Sequence, residues 1–226
     1  MPGHLDGRSG VGRARSDIGD QSVIAAVVLA AGSGSRFGGT KQLALLDGKP
    51  LVRHAVEAAR EAGIAHVAVV VGYEAEAVAT AAGPEASIVA NPRHAEGQST
   101  SLVAGLDALG DDVDAAVILL ADQPGITAGM IRNLVETAAS RREPIVRLRF
   151  VDGPGPALLG RSVWDDVRRL EGDTGARELV QRRPNLVFEA FVDIAAPRDV
   201  DTPADLDGIR DERRADGPGN EKPPSF

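Results

Sequence analysis

Apolar residues along this chain fall into short, nearly unbroken runs separated by stretches in which they recur every three or four positions. Val23 to Ala30, His66 to Val71, Ser87 to Ala90, Val113 to Ala121, Pro144 to Val151 and Leu186 to Val192 have the composition and length of strands. Between them, helices are predicted over Leu51 to Ala62, Glu74 to Ala82 and Ser99 to Leu109. Further helices are predicted from Thr127 to about Arg142, near Ser162 to Leu170 and from Ala176. Pro50 suits a helix start and Gly63 a stop, while Thr202-Pro203-Ala204-Asp205 opens a last helix with a good cap. The glycine and proline of Asp152 to Pro156 read as a connection.

Continuous apolar strands alternating with helices imply a mostly parallel sheet covered by helices on both faces. In such sheets ligands sit beyond the carboxyl ends of the strands. The loops after the first strand and after Val113 to Ala121 are therefore expected to share a crevice.

The chain ends lack this periodicity. Residues 1–21 are rich in Gly, Arg, Asp and Ser and read as a disordered leader, and 208–226 read as a flexible tail, leaving a single domain at 22–207. A chain of 226 residues with 43% hydrophobic content can bury one substantial core. The net charge of -8 argues against a general nucleic-acid binder. With no cysteine there is no disulfide, thiolate metal site or cysteine nucleophile, so any metal must use oxygen or imidazole ligands. The Val23 to Ala31 run is far shorter than the roughly 20 residues of a membrane span and makes a poor signal sequence, so a cytoplasmic protein is expected.

The most concentrated chemistry follows the first strand. Ala30, Ala31, Gly32, Ser33, Gly34 and Ser35 lead into Arg36, and Gly38-Gly39-Thr40 into Lys41. Small residues let backbone N–H groups approach phosphate oxygens, and the two cations neutralise the charge. Gly39-Thr40-Lys41 is not the Gly-Lys-Ser/Thr of a Walker loop, and Phe37 stands where a dinucleotide fingerprint needs glycine.

Asp122 directly follows the most apolar strand, where it is either a magnesium ligand or a turn former ahead of Gln123-Pro124. In Asp199-Val200-Asp201, alternation on extended backbone places both carboxylates on one side, and either could complete a metal site. Gly172-Asp173-Thr174-Gly175-Ala176-Arg177 sets an arginine on the first turn of a helix, suited to a phosphate or a planar heterocycle, or simply to the surface. His4, His54, His66 and His94 are dispersed and form no metal pair at helical spacing.

Together, Leu29 to Gly38 with Lys41-Gln42-Leu43, Glu96-Gly97 through Ser101-Leu102-Val103-Ala104-Gly105-Leu106, Asp122-Gln123-Pro124, Gly172 to Arg177 and Asp201-Thr202-Pro203-Ala204-Asp205-Leu206 resemble the MobA-like nucleotidyltransferases. Within them the similarity is greatest to the molybdenum cofactor cytidylyltransferases. The resemblance implies a single Rossmann-like domain that transfers CMP from CTP to the terminal phosphate of molybdopterin with Mg2+, releasing pyrophosphate. It implies a nucleotide site of Ala30, Ala31, Gly32, Gly34, Arg36, Lys41 and Ser101. Catalysis would rest on Arg36, Lys41 and Asp122, metal binding on Asp122 and Asp201, and acceptor binding on Gly172, Asp173, Gly175 and Arg177. A client molybdenum oxidoreductase is an implied partner.

Ala30-Ala31-Gly32 and Thr40 differ from the Ala-Gly-Gly loop and the aspartate before lysine of guanylate-transferring relatives, which favours cytidine. The Gly-His-Pro common in the cytidylyltransferases is absent, since this chain reads Gly153-Pro154-Gly155-Pro156-Ala157. A sugar or alditol phosphate acceptor, or a noncatalytic carrier of molybdenum cofactor, are the alternatives.

Overall fold

A computed structural model describes Ile18 and residues 22–216. Its main sheet is built from β1 (Ile24–Leu29), β4 (His66–Val71), β5 (Ser87–Ala90), β6 (Ala115–Leu120), β7 (Ile145–Phe150), β8 (Pro154–Gly160) and β9 (Val187–Val192), while β2 (Leu45–Leu46) and β3 (Lys49–Pro50) form a separate hairpin. The helices are α1 (Leu51–Glu61), α2 (Ala75–Ala82), α3 (Gln98–Asp107), α4 (Ala128–Ala139), α5 (Trp164–Val167), α6 (Ala176–Arg182) and α7 (Pro203–Asp216).

The strand order is β5-β4-β1-β6-β8-β7-β9. β5, β4, β1 and β6 are parallel, as is the β7–β9 pair, and β8 runs antiparallel to both of its neighbours. The expected α/β architecture is therefore present, with both faces covered. Side chains of β1 alternate between two cores: Ala26 and Val28 pack with α1, α2 and α4 on one face, Ala25 and Val27 with α3, α5 and α6 on the other. A strand apolar on both faces has no amphipathic alternation, which is why it reads as a continuous run.

β8 corrects the reading of Asp152 to Pro156 as a connection. β6 pairs only with Ala157 to Gly160, so the segment Pro154 to Pro156 projects past the β6 ladder, where a missing N–H costs little. The helix predicted near Ser162 to Leu170 is shorter, a 3-10 turn at Arg161–Val163 continued by the single turn Trp164–Val167.

Both chain-end expectations also change. Ile18, within the predicted leader, is buried in the main core, and the remaining residues of 1–21 lie outside the described residues. The predicted tail from 208 is helical as far as Asp216, and 217–226 lie outside the described residues. Leu206 and Ile209 of α7 are buried with Leu46, Leu51 and Val200. Arg210 donates to the Leu45 carbonyl at 2.6 Å, and Arg213 donates to Asp47 at 2.6 Å and to the Pro124 carbonyl at 3.1 Å. One buried stripe and two arginines thus clamp α7 to the β2–β3 hairpin and to the loop after β6. A Thr202–Asp205 capping box starts the helix: Thr202 N–H donates to Asp205 at 2.8 Å and Asp205 N–H to Thr202 Oγ1 at 3.3 Å.

Candidate active site

The glycine loop leaves β1 at its carboxyl end. Ala30 and Ala31 are buried there, the Ala30 N–H donating to the Val70 carbonyl at 2.9 Å and the Ala31 carbonyl accepting from Tyr73 N–H at 3.2 Å. Gly34 has φ +61°, and a Cβ on it would lie 2.3 Å from the Gly39 carbonyl oxygen, so only glycine lets the loop fold back on itself. That fold brings Arg36 and Lys41 round to the crevice edge. Gln42 is buried and donates through Nε2 to the Gly32 carbonyl at 2.8 Å, bracing the loop, while its Oε1 is buried with no partner.

Lys41 is the hub. Its Nζ lies 2.6 Å from Asp122 Oδ2 and 3.0 Å from Asp201 Oδ1, and the Lys41 side chain is only 15% exposed. Arg36, at 78% exposure, reaches Asp201 Oδ2 at 3.3 Å. The structure thus brings together four of the residues singled out in the sequence, from three separate stretches, beyond the ends of β1 and β6. Val200 N–H donates to the Asp122 carbonyl at 2.9 Å, which locks the Asp199-Val200-Asp201 segment alongside the β6 exit.

Burial pulls the Lys41 pKa down, but the charges and hydrogen bonds of Asp122 and Asp201 outweigh it and hold the ammonium above the ordinary lysine value. The Asp199 carboxylate is set down in the crevice although the residue as a whole is exposed. Desolvation raises its pKa, a hydrogen bond from Gln123 Nε2 at 2.7 Å opposes the rise, and the charges of Asp122 and Asp201 add to it. Of the two carboxylates in the Asp199-Val200-Asp201 segment, Asp201 is the one in contact with Lys41, while Asp199 pairs with Gln123.

The donor set fits a divalent cation. Asp122 Oδ1 is buried with no hydrogen-bond partner, so the side chain does not cap the following turn and has a free lone pair beside Asp201. Among the described residues no group of three or more His, Cys, Asp and Glu is placed to hold a metal. Two carboxylates suit Mg2+ or Mn2+, which take most of their remaining ligands from phosphates and water.

Beside this centre lies a cavity of about 570 Å3. Its apolar wall includes Leu29, Ile118, Leu120, Ala157 and Val180, and its polar groups include Arg147, Arg177 and Asp199. The projecting segment Gly153 to Pro156 forms one side. Of the four expected acceptor residues, Arg177 lines this cavity and is exposed, whereas Gly172, Asp173 and Gly175 are not part of its wall. Gly172 instead docks on the start of α3, its carbonyl accepting from Ser99 N–H at 3.2 Å and Ser99 Oγ at 2.8 Å. Gly97, at φ +122°, permits this contact, since a Cβ there would stand 2.2 Å from the Gly172 carbonyl group.

Sequence reasoning assigned no role to Gln42, Gln123, Asn91 or Arg147. Arg147, on β7, is paired with Glu189 of β9 and has its Nε buried without a partner. Arginine at alternate positions of a strand is ordinarily surface, so no sequence signal separated it. Asn91 had one available signal: an asparagine just before proline at a strand exit is a good turn former.

A mostly parallel sheet with a glycine loop after its first strand, one carboxylate at the β6 exit and another ahead of α7 beside it, defines a nucleotide-binding α/β domain. A family model described as MobA-like NTP transferase domain matches residues 26–186, and the chain belongs to that family. Nicotine blue oxidoreductase of Paenarthrobacter nicotinovorans is 31% identical over 193 residues, covering 81% of this chain and 94% of that protein. The bifunctional enzyme IspD/IspF of Novosphingobium aromaticivorans is 34% identical over 155 residues, covering 66% of this chain, and the match spans only 40% of that longer protein. The crystal structure of Rv0371c from Mycobacterium tuberculosis H37Rv in complex with manganese superposes with a TM-score of 0.72 at 28% identity, covering 85% of this chain and 100% of that one. Among the described residues no helix is long and apolar enough to cross a membrane.

Proposed function

We propose that this protein transfers CMP from CTP to the terminal phosphate of molybdopterin, releasing pyrophosphate. The observation that carries this reading is Lys41 held between Asp122 and Asp201 at the mouth of the glycine loop. Two carboxylates and a lysine serve an anion that arrives with a divalent cation, and the MobA-like family supplies the reaction class. Cytidine is favoured by Ala30-Ala31-Gly32 and Thr40, and a pterin by a cavity with apolar walls and Arg177 at its edge.

In this reading the acceptor phosphate attacks the α-phosphorus of CTP, a new P–O bond forms, and the bond to the β-phosphate breaks. A phosphate monoester has a second pKa near 6, so about nine-tenths is dianionic at neutral pH and no protein base is needed. The barrier is repulsion between anions. Mg2+ held by Asp122 and Asp201 would neutralise phosphate oxygens and accept charge from the pyrophosphate. Lys41, half-buried and kept protonated, turns from the carboxylates to the triphosphate, and Arg36 at the exposed rim takes the outermost phosphate. Loop N–H groups from Gly32 to Gly34 add donors that need no reorganisation. The cavity wall beside Leu29 and Leu120 holds the acceptor in line and keeps water from the reacting phosphorus.

The metal could be Mn2+ as readily as Mg2+, since a relative of the same fold was crystallised with manganese. The proposed domain is 22–207, extended by α7 to Asp216 and joined by Ile18, which packs into its main core. A client molybdenum oxidoreductase is the proposed recipient of the product.

A redox role is the second reading, favoured by one observation: a relative matched over 94% of its length is named an oxidoreductase. The deciding experiment incubates the purified protein and Mg2+ with molybdopterin and each of CTP, GTP, UTP and ATP, and measures pyrophosphate. CTP-dependent release supports transfer. Release with sugar or alditol phosphates alone would move the acceptor, and no release with any acceptor, together with oxidation of an added nicotinamide donor coupled to reduction of an added quinone dye, would favour the redox reading.

A further inference from the structure

We propose that Asn91 is a positioning residue that forces the Ser101 hydroxyl to act as a hydrogen-bond donor toward the base of the bound nucleotide. This rests on the CTP reading above. Asn91 is buried at 4% exposure just after β5, and its N–H donates to the Val71 carbonyl at 2.8 Å, which ties it to the end of β4.

The orientation of its amide is fixed by its partners. The backbone N–H of Arg93 donates to Asn91 Oδ1 at 3.0 Å, and a backbone N–H can only donate. The amide oxygen therefore faces Arg93 and the NH2 group faces α3. There Nδ2 donates to Ser101 Oγ at 3.0 Å and to Thr100 Oγ1 at 2.9 Å.

Ser101 Oγ is thus an acceptor in this contact, and its own proton must point elsewhere. A helical serine commonly donates to the carbonyl four residues earlier. Here the Gly97 carbonyl already accepts from Thr100 N–H at 3.3 Å and shares the Thr100 hydroxyl proton, at 2.9 Å, with the Arg93 carbonyl at 3.0 Å. Among the described residues no protein acceptor takes the Ser101 proton.

The position of α3 sets where a ligand would meet that proton. One turn further along α3, Gly105 sits so close to β1 that a Cβ would lie 2.4 Å from Val27 Cγ1. The turn carrying Ser101 therefore lies over the carboxyl end of β1, where buried Ala30 and Ala31 lead into the glycine loop. A donor fixed there matches an acceptor atom of a pyrimidine, O2 or N3 of cytosine.

Asn91→Asp tests this directly. It keeps an oxygen facing the Arg93 N–H but replaces the NH2 with a second acceptor, so Ser101 must donate inward and offer the base only lone pairs. Equilibrium binding is measured for Mg-CTP and for Mg-tripolyphosphate, which has no base. The expected result is at least a roughly tenfold loss of CTP affinity with unchanged tripolyphosphate affinity. Ser101→Ala should lose as much, and the double variant no more. Asn91→Ser, whose hydroxyl can still accept from Arg93 N–H, leaves the Ser101 hydroxyl unheld and should show a smaller loss confined to CTP; it serves if the aspartate variant does not fold. Unchanged CTP binding in the Asn91 variants, or equal loss of both ligands, would overturn the inference. If the wild-type protein binds CTP no better than tripolyphosphate, the CTP reading itself fails.

Discussion

Lys41 Nζ lies 3.0 Å from Asp201 Oδ1 across 160 positions of sequence, and the same ammonium holds Asp122 at 2.6 Å. Without a ligand, two carboxylates this close would repel, and the lysine compensates them. In the proposed reaction a divalent cation arriving with the triphosphate would take the place of the lysine between the carboxylates and leave the ammonium for the phosphates. The cation hub is thus a resting arrangement of the same groups that the reaction needs.

Removing Asp122 should therefore be more damaging to turnover than to folding. Asp122→Ala is expected to lower CMP transfer by at least about a hundredfold, the scale of losing a principal electrostatic group. Lys41 keeps Asp201 as a partner in that variant, so the thermal midpoint should move little. Steady-state kinetics beside a melting curve check both halves.

Lys41→Met leaves Asp122 without a cation and Asp201 with only the exposed Arg36. Its affinity for CTP in the absence of metal is expected to fall, and its stability at neutral pH to drop by about 1–3 kcal/mol from the uncompensated, half-buried charges. Added Mg2+ or Mn2+ should restore part of that stability, which denaturant titration with and without the ion measures. The Lys41 pKa is raised, so the wild-type contribution should persist below pH 10.5 and fade as pH rises through its folded value.

Because Asp201 leads into α7, slackening that helix should reach the active site. Ile209→Ala removes a buried contact with Leu46 and Leu51 and is expected to cost about 2 kcal/mol. It should also weaken metal binding, since the Asp199-Val200-Asp201 segment loses its support. Isothermal titration with Mn2+ and chemical denaturation separate the two effects.

Away from the site, Arg53 of α1 grips Glu85 with contacts of 2.5 and 2.9 Å and donates to the Ala82 carbonyl at 2.9 Å, joining α1 to the end of α2. The hydrogen bonds from Arg53 lower the Glu85 pKa to about 2. A depressed carboxylate contributes stability above its unfolded pKa near 4.5 that disappears as pH falls through about 2. Glu85→Gln should melt below the wild type at pH 7, with the gap closing across that window.

Much of this was legible in the sequence for identifiable reasons. β4 and β5 occupy the predicted residues throughout: β4 is a buried strand, apolar on both faces, and β5 is a short edge strand set between Gly83-Pro84 and Asn91-Pro92. The glycine loop, Asp122 and Asp201 were legible because each stands at the end of such a strand or at the start of a capped helix. β8 was hidden because its first residues are proline and glycine, tolerated only where the strand outruns its neighbour on β6. The start of α7 was legible in its cap, but its extension past 207 was hidden because Arg210 and Arg213 read as solvated charge, whereas they bind the β2–β3 hairpin and the loop after Asp122. Asn91 and Arg147 acquire meaning only through partners distant in sequence or through helical neighbours on another element. No pattern along the chain states those pairings.

The most direct test of the account follows the α-phosphorus itself. With CTP labelled at the α-phosphate, molybdopterin and Mg2+, the account predicts label in a molybdopterin cytosine dinucleotide, unlabelled pyrophosphate in equal amount, and loss of both in Asp122→Ala. Label remaining in CTP, or transfer undiminished in that variant, would contradict it.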